Sequence, residues 1–386
     1  MPSRRLPPHA DTNALSRAIA ERRAAGRTIV DLTESNPTHA GFQYPADLLR
    51  PLASDAALRY EPHPFGLASA RQAIAFDHAR RGVTIDPDRV VLAASTSEAY
   101  TWLFKLMCDP GEAVLVPRPS YPLFEHLTAL EGVRAVPFGL EYHGRWEIDF
   151  ATLEDAPSAT RALIVVSPNN PTGSYLSARE VERLFTLCRE RGWTLIADEV
   201  FADYPLEVEA PLTDLASHAD VLAFSLGGLS KTVGLPQLKL AWLVAGGPPE
   251  TCAAALAGLE LIADSFLSVS TPVQIATPTL LECGAAVRVQ IQQRVRDNLA
   301  ILRELAHAFP AGEVLKVEGG WSAVIRVPAT RSEDQLILGL LDAEGLVVHP
   351  GYFFDFPREA FLVVSLLPPT ETLREGALRL LRYVAS

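Results

Sequence analysis

The feature that most constrains the fold is a regular alternation between residues 89 and 244. Short apolar, β-branched runs recur there, separated by stretches with helical periodicity. The runs are RVVLAA (89–94), AVLVP (113–117), RAVPF (134–138), ALIVVS (162–167), TLIA (194–197), VLAFS (221–225) and KLAWLV (239–244). Strands of nearly continuous apolar sequence are typical of parallel sheets that are covered by helices on both faces. We therefore predict an α/β fold with a mainly parallel, seven-stranded sheet flanked by helices.

One of the intervening helices is well defined by its pattern. AREVERLFTLCRERG (178–192) places Val181, Leu184, Phe185 and Cys188 on one face, and Gly192 stands where a helix would end. This segment is therefore predicted to cover one face of the sheet.

The pattern changes after about residue 250. A long helical region (249–308) is followed by EGGWSAVIRVP, EGLVVHPG, AFLVVSLL and a final helix. These elements predict a smaller α+β domain that the N-terminal residues complete. We place the large domain at residues 48–285 and the small domain at residues 1–47 and 286–386.

Composition excludes several classes of function. The 386 residues are 48% hydrophobic and 21% charged, enough for a large core, and the net charge of −12 disfavours non-specific binding to nucleic acid or membranes. The start MPSRRLPPHADT has no apolar leader, and no apolar run approaches the ~18 residues of a membrane span. Four scattered cysteines and nine histidines show no metal-ligand spacing. We expect a soluble, cytoplasmic protein with reduced thiols and no metal.

Polar sequences follow four of the predicted strands. ALIVVS runs into SPNNPTG, TLIA into DEVFADY, VLAFS into LGGLSKTVG, and RVVLAA into STSEAY. Ligands of open parallel sheets bind outside the carboxyl ends of the strands, so these four segments are the predicted site. Of the 34 basic residues only Lys105, Lys231, Lys239 and Lys316 are lysines, so 30 are arginines. Chemistry that needs a primary amine therefore has four side chains available. Two of them, Lys231 and Lys239, fall within nine consecutive positions (231–239) of the segment that follows VLAFS.

The ordered set SPNNPTG, DEVFADY and SLGGLSKTVGLPQLKLAW resembles the fold-type I pyridoxal-phosphate enzymes, most closely the class I/II aminotransferase family. The likeness extends from the Tyr60–Gly66 loop through PSYP to the C-terminal segment. It implies pyridoxal 5′-phosphate as cofactor. It also implies ping-pong transfer of an amino group between an amino acid and a 2-oxo acid.

The resemblance assigns the central catalytic roles to two residues. Lys231 would form the aldimine (Schiff base) with the cofactor and then shuttle the proton between the substrate Cα and the cofactor. Asp198 would pair with the pyridine nitrogen. The plainer interpretations are a solvated lysine and a helix N-cap aspartate.

The resemblance also assigns contacts to the cofactor ring and to the substrate. Asn170 would donate to the cofactor's 3′-oxygen, although an asparagine before Pro171 also suits a turn. Tyr121 would stack on the ring, and its plainer interpretation is a packed aromatic side chain. Asn36, in the ESNPTHAGFQYP loop, joins Asn170 and Tyr121 as a candidate substrate-binding residue.

A phosphate site is implied at the start of the helix after RVVLAA, where backbone N–H groups suit a dianion. Its candidate ligands are Ser95, Thr96, Ser97, Ser230 and Lys239. Tyr60 matches a tyrosine that reaches the phosphate of the neighbouring subunit, which implies a homodimer. Ordinary helix capping by the serine and threonine side chains is the alternative.

The chain departs from the usual family pattern at four positions. Lys239 replaces an arginine, Gly228 replaces a serine, and Phe201 replaces a tyrosine. The hydroxyl that is missing at Gly228 would have to come from Ser225 or Ser230. Val363, in FLVVSL, stands where the family usually has the arginine that binds the substrate α-carboxylate as a bidentate pair. Two other arginines are candidates for that task by proximity to active-site segments: Arg118 and Arg358.

The missing arginine leaves alternatives for the reaction. A pyridoxal-phosphate-dependent lyase or decarboxylase on the same fold is one, because carboxylate placement decides which Cα bond breaks. A non-catalytic regulator that uses the fold to sense ligands is another. The acidic charge and the absence of a recognisable DNA-binding segment speak against the regulator.

Overall fold

The computed structural model describes residues 3, 5–6, 13–208 and 213–386. Most of the first twelve residues, including much of the MPSRRLPPHADT segment, lie outside the described part. No helix within it combines the length and apolar character needed to cross a membrane.

The described strands are short, as expected for a layered α/β protein. They are β1 (Val30–Asp31), β2 (Val90–Ala93), β3 (Ala113–Arg118), β4 (Arg134–Tyr142), β5 (Trp146–Ile148), β6 (Thr160–Val166), β7 (Thr194–Asp198), β8 (Ala223–Gly228), β9 (Ala241–Gly246), β10 (Glu313–Val314), β11 (Ser322–Arg326), β12 (Leu346–Val347), β13 (His349–Pro350) and β14 (Phe361–Ser365).

The described α-helices lie between the strands and at the two ends of the chain. They are α1 (Ala14–Ala24), α2 (Ala68–His78), α3 (Thr96–Met107), α4 (Phe124–Glu131), α5 (Ala151–Glu154), α6 (Ala178–Arg191), α7 (Leu215–His218), α8 (Leu229–Thr232), α9 (Pro249–Asp264), α10 (Thr271–Ala308), α11 (Glu333–Glu344) and α12 (Thr370–Ala385).

The large sheet has the strand order β2-β9-β8-β7-β6-β3-β4-β5. β9 and β5 run antiparallel to their neighbours, and the other pairings between adjacent strands are parallel. The predicted fold class is confirmed, and each of the seven predicted runs contains a strand of this sheet. The eighth strand, β5, was not predicted, because its three residues are too short to show a period.

Alternation along each strand divides the core of the large domain into two layers. In β3, Leu115 packs into one hydrophobic cluster, whereas Val114 and Val116 belong to another. The first cluster includes the buried face of α6, which is the face predicted from its sequence. The second includes α3 and α9. Helices therefore cover both faces of the sheet. The ends of its strands remain for ligands.

The smaller domain is built on an antiparallel sheet with the order β10-β11-β14-β13. The N-terminal segment packs onto this domain. Val30 and Asp31 of β1 pair in parallel with β12 in a separate two-stranded sheet, and Leu32 lies in the core of the domain. The boundary predicted at residues 285/286 falls inside α10, a 38-residue helix. The exact division into domains stays a prediction.

A buried ion network fixes the loop that follows β7. Asp203 is 5% exposed and accepts from Arg80 at 2.8 Å, with Arg81 at 3.4 Å and Arg288 at 3.9 Å. Burial alone would raise the pKa of Asp203, but Arg81, Arg80 and Arg288 together hold it below its ordinary value. The Asp203 carbonyl also accepts from Gln292 of α10 at 2.7 Å. The loop is thereby tied to the segment that follows α2 and to the middle of α10.

We expect Asp203→Ala to destabilise the fold by about 3–5 kcal/mol, because it leaves buried guanidinium groups without their carboxylate. Denaturant unfolding of wild type and variant measures this. The matched control is Glu154→Ala, which removes an ion pair to Arg183 whose side chains are 64% and 51% exposed and is expected to cost under about 1 kcal/mol. Equal losses in the two variants would contradict the assigned role of the network.

Candidate active site

Three central strands of the large sheet end beside one another. Asp198 is the last residue of β7, whose register places it opposite Val166 at the end of β6 and Leu226 near the end of β8. β8 leads directly into α8, which carries Lys231. β6 leads into the SPNNPTG segment with Asn170. The parallel strand order therefore brings Lys231, Asp198 and Asn170 to the same end of the sheet.

Lys231 has an unusual environment for a lysine. Its Nζ makes no hydrogen bond and no ion pair with any described residue. It lies 5.3 Å from the ring centroid of Phe201 and 4.7 Å from that of Trp321. Burial lowers the pKa of Lys231 to about 8, and the charge of Asp198 partly opposes that shift. A larger fraction of this amine than of an ordinary lysine is therefore neutral, and hence nucleophilic, near neutral pH.

The surroundings of Lys231 include residues that the sequence did not single out. Tyr204 donates from its hydroxyl to the Lys231 carbonyl at 2.5 Å, and its ring contacts Trp321 with centroids 5.1 Å apart. Trp321 comes from the smaller domain, in the EGGWSAVIRVP segment. This aromatic wall joins the two domains behind the amine.

Asp198 is held by two hydrogen bonds. The Tyr100 hydroxyl donates to its Oδ2 at 2.9 Å, and the Val200 N–H donates to its Oδ1 at 3.2 Å. Burial raises the pKa of Asp198, while these bonds and Lys231 act in the opposite direction. The carboxylate is thus oriented, and an approaching cation would offset its desolvation. Sequence reasoning missed Tyr100, although it is the last letter of the STSEAY segment.

The two consecutive asparagines of SPNNPTG have different tasks. Asn169 is buried; its Oδ1 accepts from Ser120 at 2.7 Å, and its Nδ2 donates to Thr172 at 2.8 Å. The amide of Asn170 has no hydrogen-bond partner among the described residues. Asn169 therefore holds the loop together, and Asn170 is the one free to bind a ligand.

Sheet register brings the predicted phosphate ligands together. Ala241, the first residue of β9, pairs with Ala93 of β2 and with Gly228 of β8. Because β9 runs antiparallel to β2 and β8, its first residue lies at the same end of the sheet as the carboxyl ends of these two strands. Lys239, two residues before β9, therefore lies between the start of α3 and the Ser230 segment.

The start of α3 keeps donors free for an anion. Ser95 is its N-cap and accepts from the Glu98 N–H at 3.1 Å. Within the described residues, the hydroxyls of Thr96, Ser97 and Ser230 make no hydrogen bond. A helix N-terminus with unpaired hydroxyls and a nearby lysine is a chemically suitable anion site.

Packing explains one departure from the family pattern. A Cβ added at Gly228 would lie 3.2 Å from the Cβ of Ala241 and 3.3 Å from the Leu240 carbonyl oxygen. Ser225 is buried, its oxygen accepts from the Ala216 N–H at 3.0 Å, and its side chain hydrogen-bonds to the Glu199 carboxyl, so its hydroxyl is already engaged. Ser230 is the remaining candidate.

A cavity of about 450 Å³ opens beside these strand ends. Tyr121 and Asn170 form its wall on the large-domain side, together with residues of the smaller domain and the N-terminal segment. Those residues include Thr33, Ser35, Ser322, His349, Phe353, Phe354, Val363 and Ser365. Among the described residues of its lining there is no lysine and no arginine. The cavity therefore has polar groups but no strong cation.

The candidate substrate residues outside this lining have other partners. Arg118 forms ion pairs with Glu125 and, at 3.6 Å, with Asp355. Arg358 lies over the ring of Phe361 at 5.8 Å. Asn36 accepts from the Thr38 N–H and hydroxyl, while its neighbour Ser35 reaches the cavity. A substrate role for Asn36 stays a prediction.

Tyr60 is largely exposed in the single chain. Its side chain is 74% exposed, and no ring contact or hydrogen bond to it is found in the described part of the protein. A contact between Tyr60 and a neighbouring subunit stays a prediction.

The sequence model for "Aminotransferase class I and II" matches residues 27–380. The chain belongs to the class I and II aminotransferase family. An alanine aminotransferase of Mycobacterium tuberculosis is 29% identical over 379 residues, covering 95% of this chain and 88% of that protein. The glutamate-pyruvate aminotransferase AlaA of Escherichia coli is 25% identical, covering 93% and 91%.

A solved structure shows the same fold. The alanine aminotransferase from Pyrococcus furiosus superposes with a TM-score of 0.87 over 96% of this chain and 95% of that one, at 23% identity. These aminotransferases support transamination as the reaction class and give no support to a lyase or a decarboxylase. Among the described residues, His, Cys, Asp and Glu side chains form no group of three or more that could hold a metal ion.

The lowered pKa of Lys231 has a measurable consequence for the aminotransferase without its cofactor. Trace acetic anhydride acetylates only neutral amines, so labelling of Lys231 should rise with pH through about 8 rather than through the ordinary lysine value of 10.5. Peptide mass spectrometry reads the lysines in one sample. In Asp198→Asn the midpoint should fall further, because the charge of Asp198 raises the pKa of Lys231. A midpoint near 10.5 would refute the environment described.

Tyr100→Phe should lower kcat by about tenfold or more, because a hydrogen bond to a charged group contributes ~1.5–3 kcal/mol and Asp198 loses one of two. KM for the amino donor should change little. The matched control is Tyr175→Phe, which removes a buried bond to the Ala202 carbonyl at 3.2 Å. Steady-state kinetics that show the same kcat loss in both variants would contradict a specific role for Tyr100.

Proposed function

We propose that this protein is a pyridoxal 5′-phosphate-dependent aminotransferase that works as a homodimer, with an amino acid as donor and a 2-oxo acid as acceptor. The observation that carries the proposal is Lys231, whose amine has no hydrogen-bond partner among the residues that the structure describes and whose electrostatic neighbour is the oriented carboxylate of Asp198. The chemistry of the surrounding donors fits the cofactor, because each of its polar ends would meet a matching group.

The residues would hold the cofactor from three sides. The unpaired donors at the start of α3, with Ser230 and Lys239, would bind the phosphate. Asp198 would pair with the protonated pyridine nitrogen, and the free amide of Asn170 would donate to the ring oxygen. The exposed ring of Tyr121 would cover one face of the cofactor ring.

Bound pyridoxal phosphate supplies the aldehyde that takes up the amino group and the electron sink that stabilises the deprotonated substrate. Lys231 Nζ would hold the cofactor and would accept the proton from the substrate Cα. Its lowered pKa suits this task, because the base must be neutral to accept a proton. Phe201 and Trp321 exclude water around the same amine.

Of two further proposed phosphate contacts, one departs from the family pattern and the other matches it. Lys239 offers a point charge in place of the bidentate arginine, so orientation of the phosphate depends more on the helix terminus and the hydroxyls. Tyr60, exposed in the single chain, is proposed to reach the phosphate of the partner. The dimer would then complete both sites.

The decisive experiment is a half-reaction. We expect the purified, cofactor-loaded protein to produce pyridoxamine phosphate from an amino donor without any acceptor, and Lys231→Ala to lose both turnover and the visible absorbance of the attached cofactor. A panel beginning with L-alanine and L-glutamate finds the donor. The matched control, Lys316→Ala, removes a lysine that pairs with Glu318 outside the site and should behave as wild type.

The possible outcomes separate the alternatives. Turnover of the amino substrate without accumulation of pyridoxamine phosphate would indicate a lyase or a decarboxylase. Cofactor binding without any turnover across the panel would indicate a regulator. Full activity of Lys231→Ala would overturn the proposed mechanism.

A further inference from the structure

The cavity beside the strand ends lacks the arginine that the family uses for the substrate carboxylate. Val363 stands in its place on β14, lines the cavity and is 1% exposed. A bidentate guanidinium is therefore absent where the carboxylate of an amino acid would be expected.

One of the two residues directly across from Val363 is polar; the other is Val324 of β11. In the antiparallel pairing of β13 and β14, His349 is the register partner of Val363. Directly opposite residues of an antiparallel pair point to the same face of the sheet. Both side chains line the cavity. The imidazole of His349 is therefore adjacent to the position at which the family usually has its arginine.

His349 has unused hydrogen-bonding capacity. Neither ring nitrogen has a hydrogen-bond partner in the described part of the chain, and Nδ1 is buried. The ring is held by Phe353 and Phe354, with centroid distances of 5.7 Å to each. A buried polar group without a partner is costly, and one that lines a cavity is satisfied when a ligand arrives.

Two hydroxyls lie on the same face. Ser322 of β11 is the register partner of Ser365 of β14, and both line the cavity. The Ser365 oxygen accepts from the Leu367 N–H at 3.2 Å, so its hydroxyl proton remains available, and Ser322 has no hydrogen-bond partner among the described residues. These donors surround the space beside His349.

We propose that His349, with the hydroxyls of Ser322 and Ser365, binds the carboxylate of the amino-acid substrate in place of the family arginine. Burial holds the pKa of His349 below its ordinary value despite the opposing charge of Asp31, so the imidazole acts as a neutral N–H donor. The aromatic walls and the absence of any lysine or arginine from the described lining select amino acids with apolar side chains over dicarboxylic ones. This inference rests on the proposed function, because it assigns the substrate side of the same site.

A binding experiment tests His349 without requiring turnover. The probe is 3-phenylpropionate, which has a carboxylate and an aromatic end but no amino group, titrated into the cofactor-loaded protein with tryptophan fluorescence as readout. 3-Phenylpropanol, which lacks the carboxylate, is the comparison ligand. We expect His349→Ala to weaken the carboxylate at least about tenfold, as for the loss of a hydrogen bond to a charged group, and to leave the alcohol unchanged.

Replacing the lost group should restore binding. Val363→Arg is expected to strengthen 3-phenylpropionate binding, and in the double variant with His349→Ala to make His349 dispensable. Because an arginine on a buried strand can prevent folding, His349→Gln provides an independent check. It retains an N–H donor and should keep most of the affinity for the carboxylate.

Two results would overturn the inference: no loss of 3-phenylpropionate binding in His349→Ala, or an equal loss for the carboxylate and the alcohol, which would indicate a purely structural role. The half-reaction keeps this outcome distinct from failure of the proposed function. If wild type forms pyridoxamine phosphate while carboxylate binding is unaffected in His349→Ala, only the assignment of His349 falls.

Discussion

The desolvation of two opposite charges at one sheet edge is the constraint on which the rest of the structure depends. Lys231 and Asp198 each lose hydration on burial, which lowers the pKa of the amine and raises that of the carboxylate. Their mutual attraction offsets only part of this cost. The surrounding structure must therefore orient both groups precisely, and the hydrogen bonds of Tyr100 and Val200 to Asp198 do so on one side.

The loop after β7 is the second support. It begins with Asp198, passes Phe201 beneath the amine, and is fixed at Asp203 by three arginines and at Tyr204 by its bond to the Lys231 carbonyl. Ionic and aromatic contacts of one short segment thus hold both partners of the central pair. A structural network outside the cavity thus supports the positions of the amine and the carboxylate.

Local patterns predicted the fold and part of the site. The strands of the large sheet, the buried face of α6 and the gathering of polar strand ends follow from alternation and from the rule for parallel sheets. Tyr100 could not be found in the same way, because it lies 98 residues from Asp198 in sequence and meets it only through the order of strands. β5 has too few residues to show the alternation of apolar and polar residues from which a strand is predicted. The place of Lys239 beside the α3 terminus depends on β9 being antiparallel, which composition does not reveal.

The register of β13 with β14 has a consequence for how such a protein can change its specificity. Two side chains that face each other across antiparallel strands occupy one region of space while belonging to separate stretches of sequence. A binding group can therefore be exchanged between His349 and the position of Val363 by point substitutions, with no change in loop length. A sequence alignment of β14 alone shows only that the arginine is missing. In the folded sheet, the neighbouring strand β13 offers a second position for a group that binds the substrate carboxylate.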